Sequence, residues 1–189
     1  MLKTRQDITN LIKEDEWMME ILRGAAALNL PDWWVCAGFI RSKVWDTLHD
    51  YEERTPMPDV DVVYFDPEEI DEAFEKELEQ RLREINPSIP WSVKNEARMH
   101  TVNGLAPYTS TVDAISKFPE TATAFGVTLD EAGEIKLAAP CGVEDLLTMT
   151  LAPTSYFKKD KNRLQLYENR VKQKNWQEIW PKVTILAGL

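Results

Sequence analysis

The chain has 189 residues, 43% of them hydrophobic, which is enough apolar material for one well-cored domain and excludes a disordered polypeptide. A formal net charge of −10 excludes a general nucleic-acid coat protein, because binding phosphates requires neutralising Lys and Arg. With two cysteines outside any CxxC spacing and only two histidines, His49 and His100, a structural zinc site or a Ser/His/Asp triad has little to be built from.

Ile8, Leu11, Ile12, Met18, Met19, Leu22, Ala25 and Ala26 recur at helical spacing and predict one amphipathic helix, closed off before Pro31. WWVCAG, Trp33 to Gly38, reads as a short strand ending in a glycine turn. The segment after it puts Phe39, Ile40, Val44, Trp45 and Leu48 on one helical face. YEERTPMP is polar and proline-broken, hence a loop, and DVDVVYFD supplies a second strand. Asp66, Pro67 and Glu69 form an N-terminal capping signature, predicting a helix from there to about Ile85. Pro87 and Pro90 follow, and Trp91 to Met99 alternates as a third strand. A loop, a short helix near Thr111 to Phe118, a hairpin turning at Asp130 to Gly133 and helices to the C-terminus complete the order. This order predicts a two-layer α+β or α/β architecture in a single domain over 1–189, with a core at about 30–118 and the hairpin and helices at about 119–189. No run reaches the ~18 apolar residues that span a bilayer and no leader pattern opens the chain. The expectation is a soluble, unprocessed, cytoplasmic protein with no membrane partner.

Residues i and i+2 of a strand share a face, so Asp59 and Asp61 set two carboxylates side by side while Val60 and Val62 point the other way. Such a pair repels itself unless a divalent cation lies beside it. Mg²⁺ (or Mn²⁺) suits it, because that ion takes one or two protein carboxylates and completes its shell with substrate phosphates. Alone, the pattern is better read as two solvated acids at the mouth of a strand. That reading changes only with the family resemblance that the residues upstream carry. Gly38, between a strand and a helix start, lets a phosphate approach the backbone where helix-opening amides bind anions, and Arg41 or Ser42 adds a donor.

VCAGFIRSKVWDTLHD followed by PDVDVVYFD resembles the head domain of the DNA polymerase beta-type nucleotidyltransferase superfamily, most closely that of bacterial CCA-adding enzymes and poly(A) polymerases. There a strand ends in a Gly-Gly-x-Val-Arg-Asp turn, a helix comes next, and a second strand begins with Asp-x-Asp. The second turn glycine matches Gly38, the apolar position Ile40, the arginine Arg41 and the metal-binding pair Asp59 and Asp61. The first glycine is Ala37 here and the final aspartate is Ser42. The match covers about Trp33 to Asp66. The whole chain, with NEARMH and APCGVEDLL further on, is also similar to a family of small bacterial nucleotidyltransferase-like proteins. The resemblance implies an α+β fold, a nucleotidyltransferase-type mixed sheet flanked by helices with a mainly helical C-terminal part. It also implies Mg²⁺-dependent transfer of a nucleoside monophosphate from an NTP to an acceptor hydroxyl with loss of pyrophosphate. A non-catalytic nucleotide-binding or regulatory module that kept the fold is the alternative.

Enzymes of that superfamily often add a third carboxylate from a neighbouring strand. As adjacent strand residues, Glu96 and Asn95 are mutually exclusive for that place, and Arg98 on the face of Glu96 offers it an ordinary salt bridge. Asp113 reads as a helix-start acid after Ser110 and Thr111, and the two histidines as surface or hydrogen-bonded residues. From Leu151 to Leu189 there are eight Lys or Arg against three Asp or Glu, net +5, and the remainder has 14 against 29, net −15. Arg163, Tyr167, Arg170 and Lys174 recur at helical steps on one face, where they either form a solvated stripe or hold a triphosphate or a polyanionic acceptor. The expected site is therefore Asp59, Asp61 and Glu96 for catalysis, with Gly38, Phe39, Arg41, Ser42, Arg163, Arg170 and Lys174 for the nucleotide. The acceptor stays open, and no dedicated nucleic-acid-binding domain is evident.

Overall fold

The computed structural model describes residues 2–187. Its amphipathic N-terminal stretch folds as two helices, α1 (Arg5–Lys13) and α2 (Glu16–Ala26), where the periodicity predicts one. Asp15 makes the break: its backbone is extended and its side chain accepts from the Met18 amide at 3.1 Å, opening α2. Apolar spacing alone cannot reveal this, because Ile8, Ile12, Met18 and Leu22 all reach one buried core across the break.

The chain continues through β1 (Trp34–Cys36), α3 (Gly38–Leu48), β2 (Val60–Tyr64), α4 (Glu72–Ile85), β3 (Trp91–Asn95), α5 (Glu96–Val102) and α6 (Thr111–Ile115). The hairpin of β4 (Gly126–Leu129) and β5 (Ile135–Ala138) comes next. After it come α7 (Glu144–Leu147), β6 (Thr150–Leu151), α8 (Ser155–Lys158), α9 (Lys161–Lys174), α10 (Trp176–Ile179) and β7 (Thr184–Ile185). The five-stranded sheet has the order β3-β2-β1-β4-β5. β2 and β3 are parallel, joined by the α4 crossover, and the other pairs are antiparallel, so the sheet is mixed and the fold α+β. β6 and β7 form a separate parallel ladder inside the tail expected to be helical; two-residue strands are too short to show a period. No helix among the described residues is long and apolar enough to cross a membrane.

Register assigns the two faces of the sheet. Val35 lies opposite Val62, Cys36 opposite Asp61, and Asp61 opposite Ser92. Val35, Val60, Val62 and Val93 therefore bury one face in the main core, with α1, α2 and α3. The other face carries Cys36, Asp61 and Ser92, with Cys36 and Val63 in a small cluster against Ile115 and Ala124. Asp61 thus sits on the thinly covered face, as its alternation with the valines predicts. Asp59 precedes the strand and is exposed.

Two local expectations fail for the same reason. α4 starts at Glu72, capped by Asp71, and not at Pro67; Asp66 instead accepts from the Glu68 amide and closes a turn. β3 stops at Asn95 and α5 begins at the next residue, so Glu96 lies in a helix and not in the predicted strand Trp91 to Met99. The cause is the Asn95 side chain. It donates to the carbonyls of Asp66 and Glu69 and accepts from the amides of Asp66 and Ala97, tying the two segments together. β3 is also an edge strand, and α4 covers it: Glu79 accepts from the Val93 amide at 3.1 Å and Glu75 from the Asn95 amide at 3.0 Å. Lys94 and Arg98 compensate the fully buried Glu75, so Arg98 pairs there and not with Glu96.

The turn between β1 and α3 is strained. Ala37 has φ 55° and ψ −116°, a backbone region that favours glycine and costs a residue with a Cβ about 1–3 kcal/mol. We expect Ala37→Gly to stabilise the fold by about 1 kcal/mol after the extra chain entropy of glycine is counted. A higher urea midpoint at unchanged slope checks this; a lower midpoint contradicts it.

Candidate active site

The β1–α3 turn and the loop before β2 converge because β1 and β2 are hydrogen-bonded neighbours with Cys36 opposite Asp61. At that point opens a cavity of about 300 Å³. Its walls include Gly38, Arg41 and Ser42 from α3, Asp59 and Asp61 from the head of β2, and Arg170 and Lys174 from α9. Seven of the ten predicted site residues thus meet in one place. Phe39 is placed otherwise: its side chain is buried in the core 6.1 Å from Trp17, leaving only its backbone near the turn. Glu96 and Arg163 line a second cavity.

No side chain caps the N-terminus of α3, so its opening amides remain available at the cavity edge. A Cβ built on Gly38 would meet only the Arg41 Nη2 at 3.5 Å, with no strand atom within 4 Å. Gly38 therefore does not serve helix-to-strand packing; the space it leaves belongs to the cavity.

Burial, and after it the charge of Asp59, pushes the Asp61 carboxyl up to about 6, while the Ser92 hydroxyl, Arg170 and Lys174 pull the other way. This only partly compensated pair of acids is the kind of donor set a hard divalent cation suits. Among the described residues no three His, Cys, Asp or Glu side chains converge tightly enough to hold an ion by themselves. Burial, then the charges of Asp61 and Glu75, push Glu96 up to about 7. Although it is 6% exposed, its carboxylate makes no hydrogen bond or ion pair among the described residues. In one continuous strand Glu96 and Asn95 would be alternatives; with a helix starting between them, Asn95 serves the backbone and Glu96 is left free.

Arg41 is held in an aromatic cage that sequence reasoning missed. Its guanidinium lies 4.8 Å from the ring centre of Trp176, 5.2 Å from Trp180 and 5.6 Å from Trp45. Burial lowers it to about 10, so it remains cationic at neutral pH, and its Nε has no partner among the described residues. Asp46 anchors the cage by accepting from the Trp180 Nε1 at 2.8 Å and from the Thr55 amide and hydroxyl. An acid within the apolar face of α3 was the only available signal for Asp46. Glu120, fully buried, accepts from the Arg170 Nε at 2.6 Å and from the Thr123 hydroxyl at 2.7 Å, and nothing in its local sequence marks it. Asp113 accepts from the Thr109 amide and pairs with Lys117, while Ser110 caps α6, as read from the sequence. His49 is hydrogen-bonded to Trp45 and Lys182 backbone.

A family model described as nucleotidyltransferase matches residues 23–185. No curated protein sequence matches the chain. Among solved structures, a CCA-adding enzyme head domain determined by NMR superposes with a TM-score of 0.86 at 37% identity, covering 98% of this chain and 97% of that one. A Thermotoga maritima CCA-adding enzyme complexed with tRNA gives a TM-score of 0.55 at 14% identity, covering 95% of this chain and 42% of that one. A CCA-adding enzyme complexed with CTP gives 0.53 at 14% identity, covering 95% and 42%, and one complexed with ATP gives 0.51 at 13%, covering 89% and 42%. The chain therefore spans well under half of those longer enzymes, with which it shares the fold.

Proposed function

The chain belongs to the nucleotidyltransferase family, and we propose that it transfers a nucleoside monophosphate from an NTP to an acceptor hydroxyl, releasing pyrophosphate, with Mg²⁺ (or Mn²⁺) held by Asp59 and Asp61. One observation carries this reading: a single cavity joins the acid pair to the uncapped α3 turn and to Arg170 and Lys174. The shared fold with CCA-adding enzymes solved with ATP and with CTP supports an NTP as donor. The ion, when bound, neutralises phosphate charge and polarises phosphorus. The α3 amides receive phosphate oxygens, Arg170 and Lys174 offset the triphosphate charge, and Arg41, locked by its tryptophans, adds a fixed cation. As the acceptor oxygen bonds to the α-phosphorus, the bond from that phosphorus to the α,β-bridging oxygen breaks, and the hydroxyl proton passes to the Glu96 carboxylate.

A second reading, a nucleotide-binding module without turnover, is favoured by the absence of a third converging ligand among the described residues. Glu96 discriminates between the two. We expect Glu96→Gln to lower label transfer from α-labelled NTP to an acceptor in cell extract by about a hundredfold or more, while ATP affinity by calorimetry changes less than about threefold. Equal transfer by both proteins removes Glu96 from the chemistry. Binding without transfer by either establishes the second reading.

A further inference from the structure

Beyond the carboxylates lies a second cavity of about 280 Å³ that the donor-binding groups do not use. Glu96 forms part of its wall, and α5, which opens with Glu96, packs against β2, whose Asp61 lines the first cavity. Its remaining lining is of a different kind from the first. Tyr108, Phe118, Tyr156 and Phe157 present aromatic surface. Arg163 stacks on Tyr156, with its guanidinium 4.0 Å from the ring centre, and has no carboxylate partner among the described residues. Lys117, the other cation, is already held by Asp113 at 2.7 Å. Glu96, almost wholly buried and without a hydrogen-bond partner, is the acid this space offers to a ligand.

We propose that this second cavity is the acceptor site, and that the acceptor is a small molecule with one aromatic ring, a hydroxyl group and one anionic group. The inference rests on the nucleotidyl-transfer reading. In-line displacement requires the acceptor oxygen to reach phosphorus from the side opposite the departing pyrophosphate. With the triphosphate on the α3 turn, Arg170 and Lys174, none of which lines the second cavity, the acceptor hydroxyl would approach from the side of Glu96. A ring fits between the tyrosines and phenylalanines, Arg163 pairs with the anion in a fork that its stacking holds in place, and the hydroxyl faces Glu96. The volume suits a drug-sized or smaller molecule. The hydroxyl loses its proton to Glu96, its oxygen gains the bond to the α-phosphorus, and pyrophosphate leaves with the electron pair of the broken bond.

Two methionines make the sites separately readable, since Met57 lines the first cavity and Met99 the second. In methyl-labelled protein, ATP with Mg²⁺ is expected to shift Met57. Two probes represent the two sources of the acceptor chemistry: adenosine 3′-monophosphate for nucleotides and 4-hydroxyphenylacetate for aromatic acids. At least one is expected to shift Met99 with ATP already bound, and whichever does identifies the source. Arg163→Ala is expected to weaken that probe tenfold or more while the ATP titration at Met57 stays within twofold, which also shows that the variant is folded. The proposal is overturned if neither probe moves Met99 at millimolar concentration, if a probe displaces ATP, if Arg163→Ala leaves probe affinity unchanged, or if only an RNA with a single-stranded 3′ end moves Met99. Failure of ATP to move Met57 would instead overturn the nucleotidyl-transfer reading.

Discussion

Asp61→Asn is expected to make the metal-free protein more stable at pH 8 and, at the same time, to abolish its response to Mg²⁺. Burial first, and Asp59 second, raise the folded-state carboxyl from an ordinary 3.8 to about 6. An acid whose value is raised in the folded state binds its proton more tightly there than when unfolded. The ionised form therefore opposes folding, fully above the folded value and not at all below the unfolded one. At about 1.4 kcal/mol per pH unit, the gain from Asn at pH 8 is on the order of 2 kcal/mol once the residual exposure of the side chain is allowed for. It shrinks as pH falls through 6 and disappears below about 4. Urea unfolding in chelator at pH 8 and pH 4 checks the sign. Saturating Mg²⁺ should then stabilise the wild type by about 2.7 kcal/mol at a hundred times its dissociation constant and leave Asp61→Asn unmoved. Mn²⁺ line broadening at Met57 should vanish with the substitution. A variant less stable at pH 8, or broadening centred elsewhere, contradicts the assignment.

Arg170→Ala should destabilise the protein by about 2–3 kcal/mol, with Glu120→Gln in the same chain restoring most of the loss. Glu120 is fully buried and Arg170 is its partner at 2.6 Å, so removing the guanidinium strands a charge in the interior. Breaking such a pair costs about 3–5 kcal/mol when both members are buried; with the Arg170 side chain 41% exposed, the cost is lower. The same background isolates the ligand effect. In Glu120→Gln protein, removing Arg170 and Lys174 together should weaken ATP about tenfold, on the order of 1.4 kcal/mol, and AMP much less. The difference should shrink as salt is raised. Thermal unfolding and calorimetry on the wild type and these four variants test both parts. Equal small losses for ATP and AMP would leave the α9 cations a structural role alone.

What the sequence discloses here is what local pattern can encode. The valine alternation around Asp61 sets a face, and a glycine between strand and helix patterns marks the turn; that Gly38, Arg41, Asp59 and Asp61 belong to one place is what the family resemblance of these few dozen residues implies, and they do line one cavity. The fate of Glu96 is not. The switch from β3 to α5 depends on Asn95 clasping Asp66 and Glu69, about thirty residues away, and no periodicity carries that information. The α9 stripe misleads in a similar way. Arg163 and Lys174 share a helical face, yet eleven residues separate them by about 16 Å along the axis, and the buried Tyr167 between them donates to the Leu151 and Leu186 carbonyls. One face thus serves two cavities. The Arg41 cage escapes notice because its rings, Trp45, Trp176 and Trp180, come from opposite ends of the chain.

The most direct measurement tracks the label of one nucleotide through the reaction. ATP labelled at the α-phosphate and ATP labelled at the γ-phosphate are incubated in parallel with the protein, Mg²⁺ and a cell extract or a Met99-shifting acceptor. Nucleotidyl transfer predicts that the α-label moves onto the acceptor, that the γ-label appears only in pyrophosphate, and that Asp61→Asn abolishes both. Transfer of the γ-label to the acceptor, or α-label transfer undiminished in Asp61→Asn, would contradict it.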